Sequence, residues 1–453
     1  MQSLTRLVIF FTVITLGLQG LALAAQPADS QALLEEIRAL RTRVAEMDAM
    51  EKRLAELEAL VAGQQAEPAE TAATAPLDAA SKSMVKEVVA EVFDEKQPIH
   101  VGGALRVNYG YKDWDDRQDE TFGDFAFDLF RLNLDGDIGN WLLSAEYRFY
   151  PEYDFHTIHH GYVGYNISDT WQVQAGVHQV PFGLQPYASH NFWFSGAYYI
   201  GLEDDYDMGI KGLYADGPLQ LALAFYKNDE LGSPGDADRY SIDVINNADG
   251  GYAGAQADGN EETNQVNARL AYTVEHGDLG SSEFGVSGQW GQLYNNATDK
   301  TGDHWASALH MNGNYGNWNV QLEYATYEYD PENPAGFDDD VITMGAFGFS
   351  WGVPAEADLY IANVAYTIPV NRKWLDSITF YTDNTLIEPR KSSQPTIWQN
   401  VVGALFASGP VYTYLDVISG ENMIFSGGNM VDKTDAKYNE RTTRVNLNVG
   451  YYW

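Results

Sequence analysis

The most regular feature of the chain is an alternation of apolar and polar residues that begins near residue 100 and continues to residue 453. Residues 318–324 read WNVQLEY, and residues 445–453 read VNLNVGYYW. A period of two places the apolar side chains on one face of an extended strand and the polar ones on the other. The pattern therefore predicts an all-β region of strands that each have one apolar face.

The alternating runs can be counted as strands. We predict sixteen, at residues 99–112, 123–138, 141–151, 155–168, 170–180, 206–216, 219–228, 264–276, 282–295, 303–316, 318–330, 355–368, 375–388, 397–408, 409–419 and 440–453. An even number of antiparallel strands returns both ends of a barrel to one side. We therefore assign the apolar stretch 341–353 to a long loop, because a seventeenth strand would make the count odd.

The connections between these strands alternate between short and long. Short turns with long loops between them indicate a membrane barrel, whereas a soluble sandwich would have uniformly short turns. Aromatic residues make up 13% of the chain, and 42 residues are Gly. After residue 25 the chain contains no run of the roughly 18–20 apolar residues that a membrane helix needs. We predict a 16-stranded antiparallel transmembrane β-barrel in the cell outer membrane.

The first hundred residues have a different texture. Residues 1–25 read as a signal peptide, with Arg6 before an apolar run and small residues at 22–25. In residues 26–63 the apolar positions follow a heptad spacing, at Leu33, Ile37, Leu40, Val44, Met47, Met50, Leu54, Leu57 and Val61. This spacing predicts a periplasmic coiled coil that joins protomers, and a single amphipathic helix packed on another surface is the alternative. Residues 64–98 read as a linker with a short helix, ahead of a barrel over 99–453.

The last strand ends on an aromatic residue, Trp453, with apolar residues at alternate positions before it. This resembles the C-terminal strand signature that the barrel assembly machinery reads, with Trp in place of the commoner Phe. A buried edge strand that happens to end in aromatic residues is the alternative. Trp453 is therefore the predicted assembly signal.

The connection at residues 181–205 is the candidate constriction of the lumen. It is too apolar to extend into water, so it should fold into the lumen or lie over a neighbouring protomer, and we favour the lumen. Its candidate residues are Pro181, Phe182, Gly183, Phe192, Trp193, Phe194, Glu203, Asp204 and Asp205. The charged residues predicted to line the pore elsewhere are Arg131, Asp135, Glu146, Arg148, Lys211, Arg269, Glu323 and Arg444.

Several short motifs resemble one family of outer-membrane porins. The run GVHQVPFGLQ at 176–185 looks like the strand-to-loop segment of the phosphate-selective porin O/P family. The sequences at 130–136, 162–165 and 207–212 are similar to other strands of that family. The resemblance implies a 16-stranded trimeric barrel, often with Arg and Lys that attract anions into the pore.

The chain departs from the chemistry of that family. Gln179 stands where a basic residue is often found, and the chain has 27 Lys and Arg against 64 Asp and Glu. A phosphate channel needs a ladder of cations that compensates the anion as it loses water. We therefore favour a transverse field of mixed charge over a phosphate ladder.

Other candidate sites are weak. His156 and His160, four residues apart, should share one face of a strand near His159, but we predict no metal site there. Acidic runs at 113–116, 229–230 and 338–340 either bind Ca²⁺ or form a solvated face. We find no nucleophile–His–acid arrangement and no phosphate-cradling Gly-rich loop, so we predict neither an enzyme nor a cofactor.

The net charge of -37 excludes nucleic acid as a partner, since its phosphates would be repelled. The predicted function is passive diffusion of small hydrophilic solutes (ions, anions or sugars among them) through a homotrimeric porin that contacts outer-membrane lipid and lipopolysaccharide. The alternative is a structural protein that tethers the envelope through its coiled coil.

Overall fold

A computed structural model of the chain describes residues 98–232, 237–246 and 253–453. The predicted signal peptide, coiled coil and linker helix lie outside the described residues. Within the described part, no helix is long and apolar enough to cross a membrane.

The described residues are almost entirely β-strands. The strands are β1 (Ile99–Lys112), β2 (Asp124–Ile138), β3 (Trp141–Tyr150), β4 (Phe155–Asn166), β5 (Trp171–Gln179), β6 (Tyr206–Asp216), β7 (Leu219–Asp229), β8 (Asp243–Val244), β9 (Asn260–Glu275), β10 (Ser281–Asn295), β11 (Lys300–Tyr315), β12 (Trp318–Asp330), β13 (Val341–Ala346), β14 (Phe349–Pro354), β15 (Glu356–Arg372), β16 (Leu375–Pro389), β17 (Ile397–Ser408), β18 (Val411–Glu421) and β19 (Arg441–Tyr452). One short helix, α1 (Asp116–Thr121), lies between β1 and β2. Single 3₁₀ turns occupy Pro151–Tyr153, Tyr198–Ile200, Gly277–Leu279 and Ile424–Ser426.

Sixteen of these strands close into an antiparallel barrel, as predicted. Each wall strand pairs with its neighbour along the chain, and β19 pairs with β1 to close the ring, with Tyr452 opposite Ala104. Two wall pairs bypass intervening strands, because β7 pairs directly with β9 and β12 pairs directly with β15. The bypassed strands β8, β13 and β14 form a separate three-stranded sheet.

The separate sheet changes one prediction. Residues 341–353 were expected to belong to a loop, and the parity argument holds for the wall. The segment nevertheless forms the hairpin β13–β14, in which Val341 pairs with Pro354 and Ala346 with Phe349. Most of its apolar side chains are buried, including Ile342, Met344, Trp351 and Val353, whereas Phe349 at its turn is exposed. An apolar run can therefore fold as strands without joining the barrel wall.

The barrel wall has apolar side chains on its outer face and polar side chains on its inner face, as in a membrane barrel. On β12 the outward Trp318 and Leu322 are 51% and 44% exposed, whereas the inward Gln321 and Glu323 are 7% and 5% exposed. On β17 the outward Val402 is 62% exposed, whereas the inward Gln399 is 3% exposed. A continuous apolar outer surface of this kind is costly in water and matches the hydrocarbon of a bilayer.

Several strands extend further than predicted. β9 begins at Asn260 and β11 at Lys300, three or four residues before the predicted starts. These extensions are polar, and polar rim residues above the membrane do not alternate in hydrophobicity. The backbone pairing continues there because unpaired amide groups would otherwise be left within the sheet.

Candidate functional site

The loop between β5 and β6, residues 181–205, crosses the interior of the barrel; we call it the lumen loop. Its Leu184 amide donates to Oε2 of Glu323 on β12, at 2.7 Å. Further along, the side-chain amide of Asn191 donates to Oδ2 of Asp383 on β16, at 2.8 Å. In the ring order β16 stands eight strands from β5, which is halfway around the sixteen. The lumen loop therefore spans the barrel from one wall to the opposite wall.

A buried carboxylate holds the lumen loop in shape. Glu203 accepts hydrogen bonds from the amides of Ala188 and Ser195 at 2.8 and 2.9 Å and from the hydroxyl of Ser189 at 3.2 Å. Burial raises the pKa of Glu203, although these hydrogen bonds act in the opposite direction. The carboxylate thus ties the last part of the loop to residues 188–195 in its interior.

The next carboxylate of the loop is also enclosed. Asp204 accepts from the hydroxyls of Tyr206 and Tyr240, at 3.1 and 2.5 Å. Burial raises the pKa of Asp204 to about 7. Glu203, Asp204 and Asp205 therefore lie inside packed structure, and they do not project from the loop into open lumen.

One face of the lumen loop packs against the separate sheet. The indole nitrogen of Trp351 on β14 donates to the carbonyl of Tyr199, at 3.1 Å. Phe194 stacks on Tyr198 with ring centroids 4.3 Å apart. The predicted loop residues Pro181, Phe182 and Gly183 are buried as well. The Tyr198 hydroxyl also donates to the carbonyl of Tyr240, at 3.5 Å. The lumen loop is therefore backed by two inward-folded segments, the hairpin β13–β14 and residues 237–246, which include β8.

The lumen loop also borders an open cavity of about 340 Å³. Arg106, Arg131 and Arg148, from β1, β2 and β3, line one side of it. Aromatic side chains of the lumen loop line the opposite side, at Tyr187, Phe192, Trp193, Phe194, Tyr198 and Tyr199. The cavity therefore has a cationic wall and an aromatic wall.

Carboxylates partly compensate the arginines. Arg106 Nε lies 2.7 Å from Oδ2 of Asp128, and Arg131 Nε lies 3.6 Å from Oε2 of Glu146. Arg148 also pairs with Glu146. Three guanidinium groups thus share the carboxylates of Asp128 and Glu146, and a further carboxylate, Glu152, also lines the cavity.

Aromatic rings of the lumen loop cover Arg106 and a further arginine, Arg444. The guanidinium carbon of Arg106 lies 4.9 Å from the ring centre of Phe192, and that of Arg444 lies 4.0 Å from the ring centre of Trp193. Cation–π contacts of this length hold a guanidinium without neutralising it. The arginine side chains therefore contact the aromatic rings of the loop at these two pairs, and the guanidinium groups keep their charge.

The remaining predicted pore residues hold the loop or lie elsewhere. Lys211 Nζ donates to the carbonyl of Gln179 at 2.7 Å, and Arg269 Nε donates to the carbonyl of Gly183 at 2.8 Å. Glu323 accepts from the loop as described above. Asp135 is exposed beside the β2–β3 turn and accepts from the Ser144 hydroxyl at 2.6 Å.

The histidine prediction was wrong about which residues share a face. A β-bulge between β3 and β4 pairs Glu146 with His160 and Tyr147 with Ile158, so His159 is an extra residue. The bulge reverses the alternation, and His156 faces outward, where it bonds to Tyr147. His159 and His160 instead lie near Glu146, with ligand atoms of all three within 4.8 Å of one another.

Several residues at the cavity were not identified from the sequence. Tyr240 and Phe347 border it from the two inward-folded segments, and Tyr452 borders it from β19. The apolar run at 341–353 was the available signal for an inward segment. No local pattern marks Tyr240, because only the fold of a distant loop brings it to the cavity.

Comparison with solved structures supports the fold. The outer-membrane channel DcaP of Acinetobacter baumannii is 12% identical, with 78% of this chain and 97% of that one covered and a TM-score of 0.50. OmpF of Salmonella typhi, in complex with daunomycin, is 10% identical with the same coverage and a TM-score of 0.50. No model of a protein family matches the chain, and no curated protein matches it. At these identities the likeness shows that the chain has the barrel fold of outer-membrane channels.

Proposed function

We propose that this protein is an outer-membrane porin through which small hydrophilic solutes diffuse passively. The observation that carries the proposal is a closed sixteen-stranded barrel with an apolar outer surface, a lumen loop across its interior and an open cavity beside that loop. A barrel of this size leaves room inside for water, and inward loops set how narrow the passage is.

The lumen loop is the proposed constriction, and the arginine wall is its proposed selectivity element. Arg106, Arg131 and Arg148 line the cavity, and Arg444 lies against Trp193 at its edge. The carboxylates beside these four guanidinium groups are Asp128, Glu146 and Glu152. In a narrow pore a fixed cation compensates an anion that loses water. We therefore propose a mixed field with a local preference for anions, inside a chain whose overall charge is strongly negative.

Recording from the purified protein in planar bilayers tests both statements. We expect stepwise single-channel conductance and, in a salt gradient, a reversal potential that Arg131→Gln shifts toward cations. Arg390→Gln, which removes the same charge from an exposed rim position, is the matched control and should leave the potential unchanged. A folded protein that shows no conductance would overturn the proposal of a channel. Equal shifts of the reversal potential in the two variants would overturn the role of the arginine wall.

Several finer features belong to the same proposal. We propose a homotrimer in contact with lipopolysaccharide, membership of the phosphate-selective porin O/P family without its phosphate ladder, and no catalytic activity. The tether alternative depends on residues 26–63, and no observation within the described residues favours it. Chemical cross-linking tests the trimer, and we expect its yield to fall when residues 30–63 are deleted while single-channel conductance stays near normal.

A further inference from the structure

Three aspartates from three segments meet where the lumen loop ends. Asp205 is the last residue of the lumen loop, Asp207 lies at the start of β6, and Asp243 begins β8. One carboxylate oxygen from each lies within 4.8 Å of the other two. The cluster therefore joins the lumen loop, the barrel wall and the separate sheet at one point.

These carboxylates are buried, and two of their oxygens accept no hydrogen bond. Asp205, Asp207 and Asp243 are 9%, 2% and 2% exposed. Oδ1 of Asp205 and Oδ1 of Asp207 have no hydrogen-bond partner among the residues that the structure describes. A buried carboxylate oxygen without a donor loses its hydration and gains nothing in return. Unpartnered oxygens on two carboxylates of one buried cluster favour the binding of a cation there.

The local charge balance supports the same conclusion. Arg239 contacts Asp229 at 2.6 Å, Asp243 at 3.2 Å and Glu230 at 3.7 Å. The carboxylates that interact electrostatically with one another here are Asp205, Asp207, Asp229, Glu230, Asp243 and Glu262. Arg239 is the only Lys or Arg in the sequence between residues 229 and 262. One guanidinium cannot neutralise this many carboxylates.

The chemistry of the ligands identifies the class of ion. All three are carboxylates, with neither His nor Cys in the cluster, and hard oxygen ligands select hard cations. Calcium accepts six to eight oxygens in flexible geometry, so backbone carbonyls or water can complete its shell. We propose that Asp205, Asp207 and Asp243 bind a divalent cation of the calcium class, which fastens the end of the lumen loop to the barrel wall and to β8.

The site goes beyond the proposed diffusion function, and its test does not depend on transport. The full chain is refolded in detergent without lipopolysaccharide, treated with EDTA, and equilibrated with radioactive Ca²⁺. We expect about one tightly bound Ca²⁺ per chain and a higher unfolding temperature in Ca²⁺ than in EDTA. Absence of bound Ca²⁺ at millimolar concentration would overturn the proposal, because the cluster would then be balanced by protons.

Variants locate the bound ion. Asp205→Asn combined with Asp243→Asn should weaken Ca²⁺ binding at least tenfold and abolish the thermal shift. Asp137→Asn combined with Asp278→Asn removes the same charge from two exposed positions outside the acidic runs and should retain both properties. Equal binding in the two double variants would place the ion elsewhere and overturn the site.

A second measurement covers the case in which the first double variant does not fold. Crystals of the wild-type protein are soaked in Mn²⁺, which scatters anomalously and shares the oxygen preference of calcium. We expect an anomalous peak among the three carboxylates. An anomalous map without a peak among the three carboxylates would contradict the proposal independently of any variant.

Discussion

Gly183 shows how a single residue determines the path of the lumen loop. Its backbone has a φ of +53°, and a Cβ at this position would lie 2.5 Å from Oε2 of Glu323. That carboxylate accepts the amide of the next residue, Leu184. The loop can therefore approach β12 this closely because residue 183 has no side chain.

The first prediction is that Gly183→Ala loosens the lumen loop. The substitution adds left-handed strain of roughly 1–2 kcal/mol and also displaces the Glu323 carboxylate. We expect noisier single-channel current and a lower unfolding temperature. Gly217→Ala is the control, because its φ is +55° but its Cβ would meet nothing within 4 Å. Identical behaviour of the two variants would show that the approach to Glu323 is unimportant.

A second residue-scale contact is sensitive to pH. His190 Nδ1 lies 2.7 Å from Oδ1 of Asp383, and the His190 amide donates to Oδ2 of the same carboxylate at 2.7 Å. Burial alone would lower the pKa of His190, but the hydrogen bond and charge of Asp383 outweigh it and raise the pKa. The folded state therefore favours the charged imidazolium.

The second prediction follows from the sign of that shift. The pKa of His190 is higher in the folded state than its ordinary value of 6.5. The contact of His190 with Asp383 therefore stabilises the folded state fully below pH 6.5, and this stabilisation is lost as pH rises through the higher folded pKa. We expect more frequent current fluctuations at pH 9 than at pH 6. His190→Gln should remove this dependence, whereas His276→Gln, at an exposed turn, should preserve it. A pH response that survives in His190→Gln would assign it to another group.

At the scale of elements, the interior is filled by segments that belong to different loops. The lumen loop comes from the β5–β6 connection, β8 from the β7–β9 connection and the hairpin β13–β14 from the β12–β15 connection. Met344 on β13 pairs with Val244 on β8, which joins two of these segments into one sheet. The lumen is thus narrowed by several elements that support one another.

The third prediction concerns the hairpin. Replacing residues 341–354 by a short flexible linker removes buried side chains from the lumen but leaves all sixteen wall strands. We expect a higher single-channel conductance, since more of the lumen becomes water, and a less stable lumen loop, which loses the Trp351 bond to Tyr199. Conductance that stays unchanged in the deletion variant would mean that the hairpin lies outside the limiting constriction.

At the scale of the whole molecule, the barrel depends on the closing pair β1–β19. The amide of Gly103 donates to the carbonyl of Trp453 at 3.1 Å, and the Trp453 amide donates back to Gly103 at 3.2 Å. A Cβ on Gly103 would lie 2.5 Å from the Trp453 ring, so the indole covers this glycine. The last residue therefore packs across the seam, half exposed on the outer surface.

The fourth prediction tests the seam. Trp453→Asp removes the ring and places a charge on the outer surface, at a cost of about 1 kcal/mol near the membrane interface. We expect a smaller folded fraction on heat-modifiability gels and a lower level in the outer membrane. Trp453→Phe keeps an aromatic ring and should assemble normally. Normal assembly of the aspartate variant would show that neither the ring nor the seam contact is needed.

The sequence by itself determined the wall. Side chains in a strand point alternately to two faces, so the alternation of WNVQLEY at 318–324 is enough to assign a strand with a lipid face and an inner face. The main turns and the candidate loop at 181–205 followed from the same local pattern. The number of wall strands needed that pattern together with the even count that a barrel requires. Polar strand ends such as Asn260 and Lys300 did not follow, because they have no alternation to detect.

Only the tertiary structure decided what fills the barrel. Asp383 is 193 residues from His190 along the chain, and closure of sixteen strands brings the two together. The bulge at His159 reverses the side-chain alternation, and the hairpin β13–β14 places its strands inside the wall. The local periodicity of the sequence shows on which face of a strand each side chain lies. The path of an inward loop instead depends on contacts between distant segments, and those contacts exist only after the ring of strands has closed.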